Sequence, residues 1–318
     1  MSNKDELRDL QLELVMHEDG GTSRRIIVND VDKYALVDKE KAAAWRKKMD
    51  LENQRAKDAR GKFVISKNEP IKSLESSGIT IADRRYLMQL VIYANINGKP
   101  LSKDGTPLTT TDIANIWGVT YKVAARRLKK FIDLGIINKI SDKKIKHYSL
   151  DENYFLMGKG IKPGEKFVKV FKTKLNEIIQ NVADLEKRQR KNKDLLDIIG
   201  LLNAVMPYFH YQTYYLVKNP DDNILQENEN VLESLKRDPS QLKHLTRTQI
   251  GRVLGYKKVD LKTIEKYMDY LQKAGAVMVL LTKGKPRYLI HPDLLFRMDG
   301  NGTDDYTEYV RNLFNQHN

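Results

Sequence analysis

The sequence predicts a helix-rich α+β chain in which one structural unit occurs twice, behind an N-terminal charged helical extension. Three observations predict it. The order helix, glycine turn, helix, glycine, β-hairpin can be read from Leu108 and again from Leu245. Key positions of the two stretches correspond: Leu108, Thr109, Thr111, Ile113 and Gly118 match Leu245, Thr246, Thr248, Ile250 and Gly255 at one constant spacing. Leu128, Phe131 and Gly135 match Met268, Leu271 and Gly275 after a three-residue insertion, which makes this an internal repeat. Lys and Arg also gather over the second helix and hairpin of both stretches.

The elements follow in order. Residues 1–61 form the extension, and "VDKEKAAAWRKKMDLENQRAKDARG" (Val37–Gly61) reads as a mostly exposed helix ended by Gly61. The first domain spans 62–158. "KFVISKNEPIKSLE" gives a strand and a turn, and "ADRRYLMQLVIYANIN" a helix with Leu87, Leu90, Val91 and Ala94 on one face. After the loop "GKPLSKDGTP" come helices over Thr110–Trp117 and Thr120–Leu134, split by Gly118. "IINKISDKKIKHYSLD" alternates around a polar turn at Ser141–Lys144, as a hairpin does. Residues 159–165 are a linker rich in turn formers.

The second domain spans 166–302. Its "KFVKVFKTKLNEII" echoes the start of the first. "DLEKRQRKNKDLLDIIGLLNAVMPYF" reads as one long helix, apolar from Leu195, and residues 211–241 are an insertion without counterpart. The second copy follows, with a hairpin turning at Lys283–Lys285, and 303–318 are a C-terminal tail.

This element order is that of a winged helix-turn-helix, so the expectation is two such domains in tandem. Ile113, Ala124, Leu128 and Phe131 can share one buried face. Thr111 and Thr120 suit helix N-caps, because a hydroxyl accepts from free amides. Gly118 permits the inter-helix turn and Gly135 a left-handed helix end.

Composition narrows the function classes. Of 318 residues 31% are charged, and no apolar run reaches the length of a spanning helix. The N-terminus lacks the basic-then-apolar layout of an export signal. There is no Cys, and the six His show no ligand spacing, so neither a metal nor a cofactor is expected, and a reducing cytoplasm fits. The net charge is +14. Val119–His147 carries nine Lys/Arg against two Asp, and Tyr256–Tyr288 eight against three Asp/Glu, so two short windows hold +12 of it. Basic charge concentrated this way points to double-stranded DNA.

In the first copy Thr120, Tyr121, Lys122, Ala125, Arg126 and Lys129 lie outside the buried face of the second helix. A helix fits the major groove, where Arg126 can bond a guanine bidentately and small Ala125 permits close approach. Lys143, Lys144 and Lys146 on the hairpin suit phosphates, which position without specifying sequence. In the second copy Asp260 is the N-cap, Lys257 and Lys258 precede the helix, and Lys262 and Lys266 face outward. Lys283, Lys285 and Arg287 lie on its hairpin. Glu265 beside them reads either as an acceptor for cytosine N4 or as a charge that repels phosphate. The second copy is less basic, so weaker DNA binding and a protein partner both stand open for it.

The stretches "LTTTDIANIWGVTYKVAARRLKKFIDLGIINKI" and "LTRTQIGRVLG…TIEKYMDYLQKAGAV…RYLIHPDLLF" resemble winged-helix proteins of Firmicute phages and plasmids. The last piece is similar to the end of RepL-type plasmid replication proteins, and the tandem arrangement to plasmid initiators with two winged helices. The resemblance covers Lys62–Met298 as a pattern, from which the insertion departs. It implies a cytoplasmic, sequence-specific binder of duplex DNA: a transcription regulator first, a replication initiator at repeated origin sites as the alternative.

Other signals weigh less. "HLTR" (His244–Arg247), with Tyr267, Tyr270 and Tyr288 downstream, resembles part of a tyrosine recombinase site, but the motif is short. No His-x-His pair or phosphate-binding loop accompanies it, so no catalysis is expected. "PYFHYQTYYL" (Pro207–Leu216) lacks basic neighbours and suits a core or a contact better than base stacking. Residues 207–241 and the second copy are the expected seats of a protein partner. A homodimer through Asn181–Leu202 or the extension is a further expectation, and no membrane contact is expected.

Overall fold

Apolar and polar residues alternate in "LQLELVM", and in a computed structural model this stretch is β1 (Leu10–Met16). It pairs antiparallel with β2 (Thr22–Val28), from Leu10 opposite Val28 to Met16 opposite Thr22, around a turn with Gly20 at φ 78°. The structure describes residues 10–18, 20–28, 46, 58–142, 145–158, 160–188, 194–297 and 301–317. They fall into two units, Met1–Lys57 and Asp58–Asn318. The extension therefore includes a β-hairpin where only a charged helix was expected. The expected helix Val37–Gly61 lies outside the described residues except for Arg46 and 58–61, and the last four belong to the larger unit. There Arg60 is buried, paired with Asp58 at 2.8 Å, its guanidinium over the rings of Phe171 and Phe296.

The larger unit is a mixed α+β, helix-rich body. Its first half runs β3 (Phe63–Lys67), α1 (Asn68–Ser73), α2 (Ile81–Val91), the small hairpin β4 (Ser102–Lys103) and β5 (Thr106–Pro107), then α3 (Thr110–Trp117) and α4 (Tyr121–Asp133). The hairpin β6 (Ile137–Asp142) and β7 (Ile145–Leu150) and the short β8 (Phe155–Leu156) complete it. The second half runs β9 (Phe167–Phe171), α5 (Lys172–Arg188), α6 (Ile198–Val205), α7 (Val231–Arg237), α8 (Arg247–Val253), α9 (Leu261–Lys273), β10 (Val277–Thr282), β11 (Lys285–Ile290), β12 (Leu295–Phe296) and α10 (Asp305–His317). Among the described residues no helix is long and apolar enough to cross a membrane.

Two sequence expectations change here. The single long helix expected over Asn181–Leu202 is interrupted: α5 ends at Arg188, a short 3-10 turn covers Leu195–Asp197, and α6 starts at Ile198. The break falls where Asp194 leaves helical geometry, at φ −129° and ψ 32°, and every residue of α6 after it is buried. The tail is α10, whose Tyr306, Val310 and Phe314 are buried in the core. Tyr306 Oη donates to the Thr213 carbonyl at 3.1 Å, and Arg311 pairs with Asp293 at 2.8 Å.

The halves are joined by more than a linker. β12, β9, β3 and β8 form one four-stranded sheet in that order, with β3 and β9 antiparallel at its centre. Ile65 pairs with Lys169, and these are equivalent positions of the two echoing stretches. Antiparallel strands whose equivalent residues face each other have a local two-fold axis through that pair. The outer strands obey the same axis: Leu156 pairs with Ile65 as Phe296 pairs with Lys169. Leu156 and Phe296 are separated by the same offset as Gly135 and Gly275.

Next to the sheet α2 and α6, each reached after its half's first strand, pack on each other. An added Cβ on Gly200 would lie 2.0 Å from the Ile81 carbonyl oxygen, so only glycine lets the two backbones approach this closely. At their contact the buried Arg84 donates to Asn203 Oδ1 at 2.8 Å. Burial lowers the Arg84 guanidinium to about 10 despite the nearby Glu75 and Tyr208.

Candidate nucleic-acid interface

Thr109 opens α3 through a reciprocal capping box: its hydroxyl accepts from the Asp112 amide at 3.3 Å, and its own amide donates to Asp112 Oδ2 at 2.8 Å. The cap is therefore Thr109, not Thr111, because Thr109 lies three residues before a side chain, Asp112, that can exchange both bonds. Thr246 and Gln249 repeat the box on α8. Gly118 ends α3 with φ 65°, and Gly135 follows α4 with φ 68°. Thr120 does sit at the N-cap of α4, but its side chain makes no capping bond. On α9 the Asp260 carboxylate accepts from the Lys262 amide at 3.0 Å.

The buried side of α4 is Ala124, Leu128 and Phe131, the residues expected there. Thr120, Tyr121, Lys122, Arg126 and Lys129 are exposed and Ala125 is half-buried. The other two cations of the helix point elsewhere. Arg127 and Lys130 both pair with Asp83, the third residue of α2, whose side chain is only 3% exposed. Burial works to raise the Asp83 carboxyl. The hydrogen bond from Lys130, those from Thr80 and the nearby charge outweigh it and hold the carboxyl below its ordinary value. The basic window thus contains two kinds of charge: a pair that docks α4 on α2, and an outward set.

β6 and β7 close with Asp142 opposite Ile145. Lys146 is exposed, and Lys143 and Lys144 lie outside the described residues. A third extended segment flanks the hairpin: the Leu101 amide donates to the Tyr148 carbonyl, and the Leu108 amide to the Leu101 carbonyl.

The second copy repeats this with Leu216, Leu245 and Tyr288 in the places of Leu101, Leu108 and Tyr148. The extra chain therefore lies between Leu216 and Leu245, starting at Val217 rather than at 211 as the pattern suggested. It carries α7 and a small core of Val217, Ile224 and Leu242. On α9 Ile264, Met268, Tyr270 and Leu271 are buried, and Lys262, Glu265, Lys266 and Asp269 face solvent. Lys257 and Lys258 before the helix and Lys283 and Lys285 on the hairpin are exposed, and Arg287 is half-buried. The hairpin turns through Lys283 and Gly284 with φ 50° and 74°, the geometry of a two-residue turn with both φ positive.

Between α9 and its hairpin lies a groove of about 520 Å³ lined by Arg247, Lys262, Glu265 and Leu281 among others. Arg247 Nη2 donates to Glu265 Oε1 at 2.7 Å. This partnership was missed in the sequence, since the two lie 18 positions apart on different helices.

The other candidates resolve into packing. His244 is set edge-on to Tyr215 at 5.0 Å, and burial, with Arg287 and His210 nearby, lowers its ring to about 4. Arg247 and the buried Tyr288 both line the groove, whereas His244 packs on Tyr215 and is not among its lining residues; Tyr270 is buried and Tyr267 half-buried. In the aromatic stretch Phe209 and Tyr214 are fully buried, with Tyr214 stacked on Tyr306. His210 is bonded to the Asp222 carbonyl at 3.0 Å, and Asp221 pairs with Arg297. Among the described residues no group of three or more His, Asp or Glu could hold a metal ion. No protein-family model matches the chain, and neither a curated protein nor a solved structure matches it.

Proposed function

We propose that this chain is a sequence-specific binder of duplex DNA made of two winged-helix domains, and that it regulates transcription. The observation that carries the reading is the pair of exposed helix-and-hairpin faces, α4 with β6–β7 and α9 with β10–β11, within one unit. Each presents cations that no core contact requires: Lys122, Arg126, Lys129 and Lys146 on the first, Lys262, Lys283 and Lys285 on the second. α4 and α9 enter the major groove. Arg126 reads a guanine, and the hairpin lysines meet phosphates. Phage or plasmid origin rests on the resemblance alone.

The local axis sharpens the target. In this reading the two heads follow the local axis of the strands, which matches the dyad of DNA itself, so the half-sites are inverted rather than direct repeats. The five residue pairs of β3 and β9 tie the two halves to one sheet, so one preferred half-site spacing is expected. Selection from a random duplex library tests this. It should return inverted half-sites at one spacing. Inserting about 5 or about 10 base pairs between them should abolish two-headed binding alike, since a full turn restores phase but not distance. Arg126→Ala should relax one base by about 1–3 kcal/mol. Absence of binding to any duplex at low salt overturns the proposal. Replication initiation is the alternative process, and it gains ground if the selected site occurs as iterated copies rather than in a promoter.

A further inference from the structure

We propose that Glu265, held by Arg247, reads the amino group of a cytosine in the half-site taken by the second copy, so that the two halves of the target differ in sequence. The inference rests on the duplex-DNA reading above and adds a specificity-determining pair to it.

The argument compares equivalent positions. In the first copy Thr110 starts α3, is buried, and shares a 2.8 Å hydrogen bond with the Tyr148 hydroxyl. Ala125 sits on the outer side of α4. In the second copy the corresponding places hold Arg247 and Glu265. The Arg247 guanidinium remains beside the buried Tyr288, whose hydroxyl it lowers against the effect of burial, and reaches on to α9, where it bonds the carboxylate that replaces the alanine methyl. The two replacements are complementary: one introduces a negative charge on the outward helix face, and the other clamps it.

A surface ion pair alone contributes little stability, and this one is open to solvent, with the Glu265 side chain 56% exposed. Its position is the informative part. Glu265 lies between Lys262 and Lys266 along the face that, in the first copy, carries Arg126. A carboxylate there meets phosphate repulsion unless it is neutralised, which Arg247 does. With one oxygen fixed by the arginine, the group is oriented as an acceptor. In the major groove cytosine offers an N4 donor, and guanine offers only acceptors. The outward side chains of the helices are then unlike. Lys122, Arg126 and Lys129 are all donors, whereas Lys262 and Lys266 are mixed with Glu265 and Asp269. A single inverted repeat of identical halves cannot satisfy both sets.

The experiment is duplex-library selection with the full chain, comparing wild type, Glu265→Gln, Glu265→Ala and Arg247→Thr, with thermal unfolding of each as a folding control. Wild type should favour cytosine at one position of the second half-site by about tenfold or more. Glu265→Gln should move that preference to adenine, since a carboxamide both accepts from N6 and donates to N7. Glu265→Ala should level the position, Arg247→Thr should weaken its contrast, and the half-site that depends on Arg126 should be unchanged in all. Base frequencies that stay the same in both Glu265 variants overturn the inference while leaving the parent reading intact. So does a uniform gain of affinity in Glu265→Ala, because it marks the carboxylate as merely repulsive. If wild type selects no duplex, both readings fall.

Discussion

Lys129 and Lys130 are neighbours with the same charge, yet their replacement by alanine should give opposite results. Lys129 is exposed on the outer side of α4. Lys130 reaches inward to the Asp83 carboxylate at 2.7 Å and to the Gly78 carbonyl at 3.1 Å. Removing one partner of a fully buried ion pair costs about 3–5 kcal/mol. Here Arg127 still holds Asp83, and the Lys130 side chain is 38% exposed. The cost for Lys130→Ala therefore falls to about 1–2 kcal/mol, or roughly 2–8 °C in melting temperature for a unit of this size. Its salt dependence of DNA binding should match wild type.

Lys129→Ala should leave stability within about 0.5 kcal/mol. It should lower the slope of log affinity against log salt by about 0.9, one phosphate contact. Thermal unfolding and anisotropy titrations across a salt series measure both quantities. The stability gap of Lys130→Ala also has a pH signature. The Asp83 carboxyl is lowered in the folded state, so its contribution is complete above the ordinary carboxylate value and is lost as pH falls through the folded one. The gap should close in acid. If Lys130→Ala flattens the salt slope as much as Lys129→Ala and melts with wild type, the assignment of inward and outward cations is wrong.

Two further outcomes test the fold. Gly to Ala inside a helix ordinarily gains up to about 1 kcal/mol, but Gly200→Ala places a Cβ 2.0 Å from the Ile81 carbonyl oxygen. It should instead lose about 1–3 kcal/mol, read by urea unfolding, and a stabilised variant would refute the close crossing of α2 and α6. Burial lowers His210, His244 and His291 to about 4. The unfolded chain then binds more protons between about pH 6.5 and pH 4, and stability should fall across that window by about 1.4 kcal/mol per pH unit for each ring. His291→Asn, which keeps an acceptor for the Asp293 amide, should make the decline shallower. A flat profile from pH 6.5 to 4.5 would refute the buried, neutral state of these rings.

The helices and hairpins of both copies were legible in the sequence because their signals are local. Ile113, Ala124, Leu128 and Phe131 recur at helical spacing and are all buried. Gly118 and Gly135 mark turns whose φ is positive. What stayed hidden was set by distant partners. The echo of "KFVIS" in "KFVKV" was visible, but two short strands do not announce that they pair with each other. The count of basic residues could not separate Lys129 from Lys130, since the difference lies in Asp83, 47 positions away. Nothing in the periodicity announces the 3-10 turn at Leu195–Asp197, which separates α6 from the charge-rich sequence before it. The hairpin β1–β2 did carry a usable signal, the alternation in "LQLELVM" before Gly20 and Gly21, outweighed by the charged composition around it.

The central sheet gives the repeat its physical consequence. Two heads on a flexible tether gain from linkage over a range of site spacings, because the second contact occurs at an effective concentration set by the tether. Heads fixed to one sheet gain at one spacing only, and there most, since the orientation is settled before binding. Under the proposed reading, the pairing of Phe63–Lys67 with Phe167–Phe171 would set the spacing of the two heads. It also explains why sequence differences between the copies can collect on the outward faces. Exchanging Ala125 for Glu265 or Lys129 for Asp269 alters neither the apolar layer of Leu128, Phe131, Met268 and Leu271 nor the sheet that orients it. Under the proposed reading one shared sheet can thus carry unlike readers, and the two halves of one chain would require unlike halves of one site.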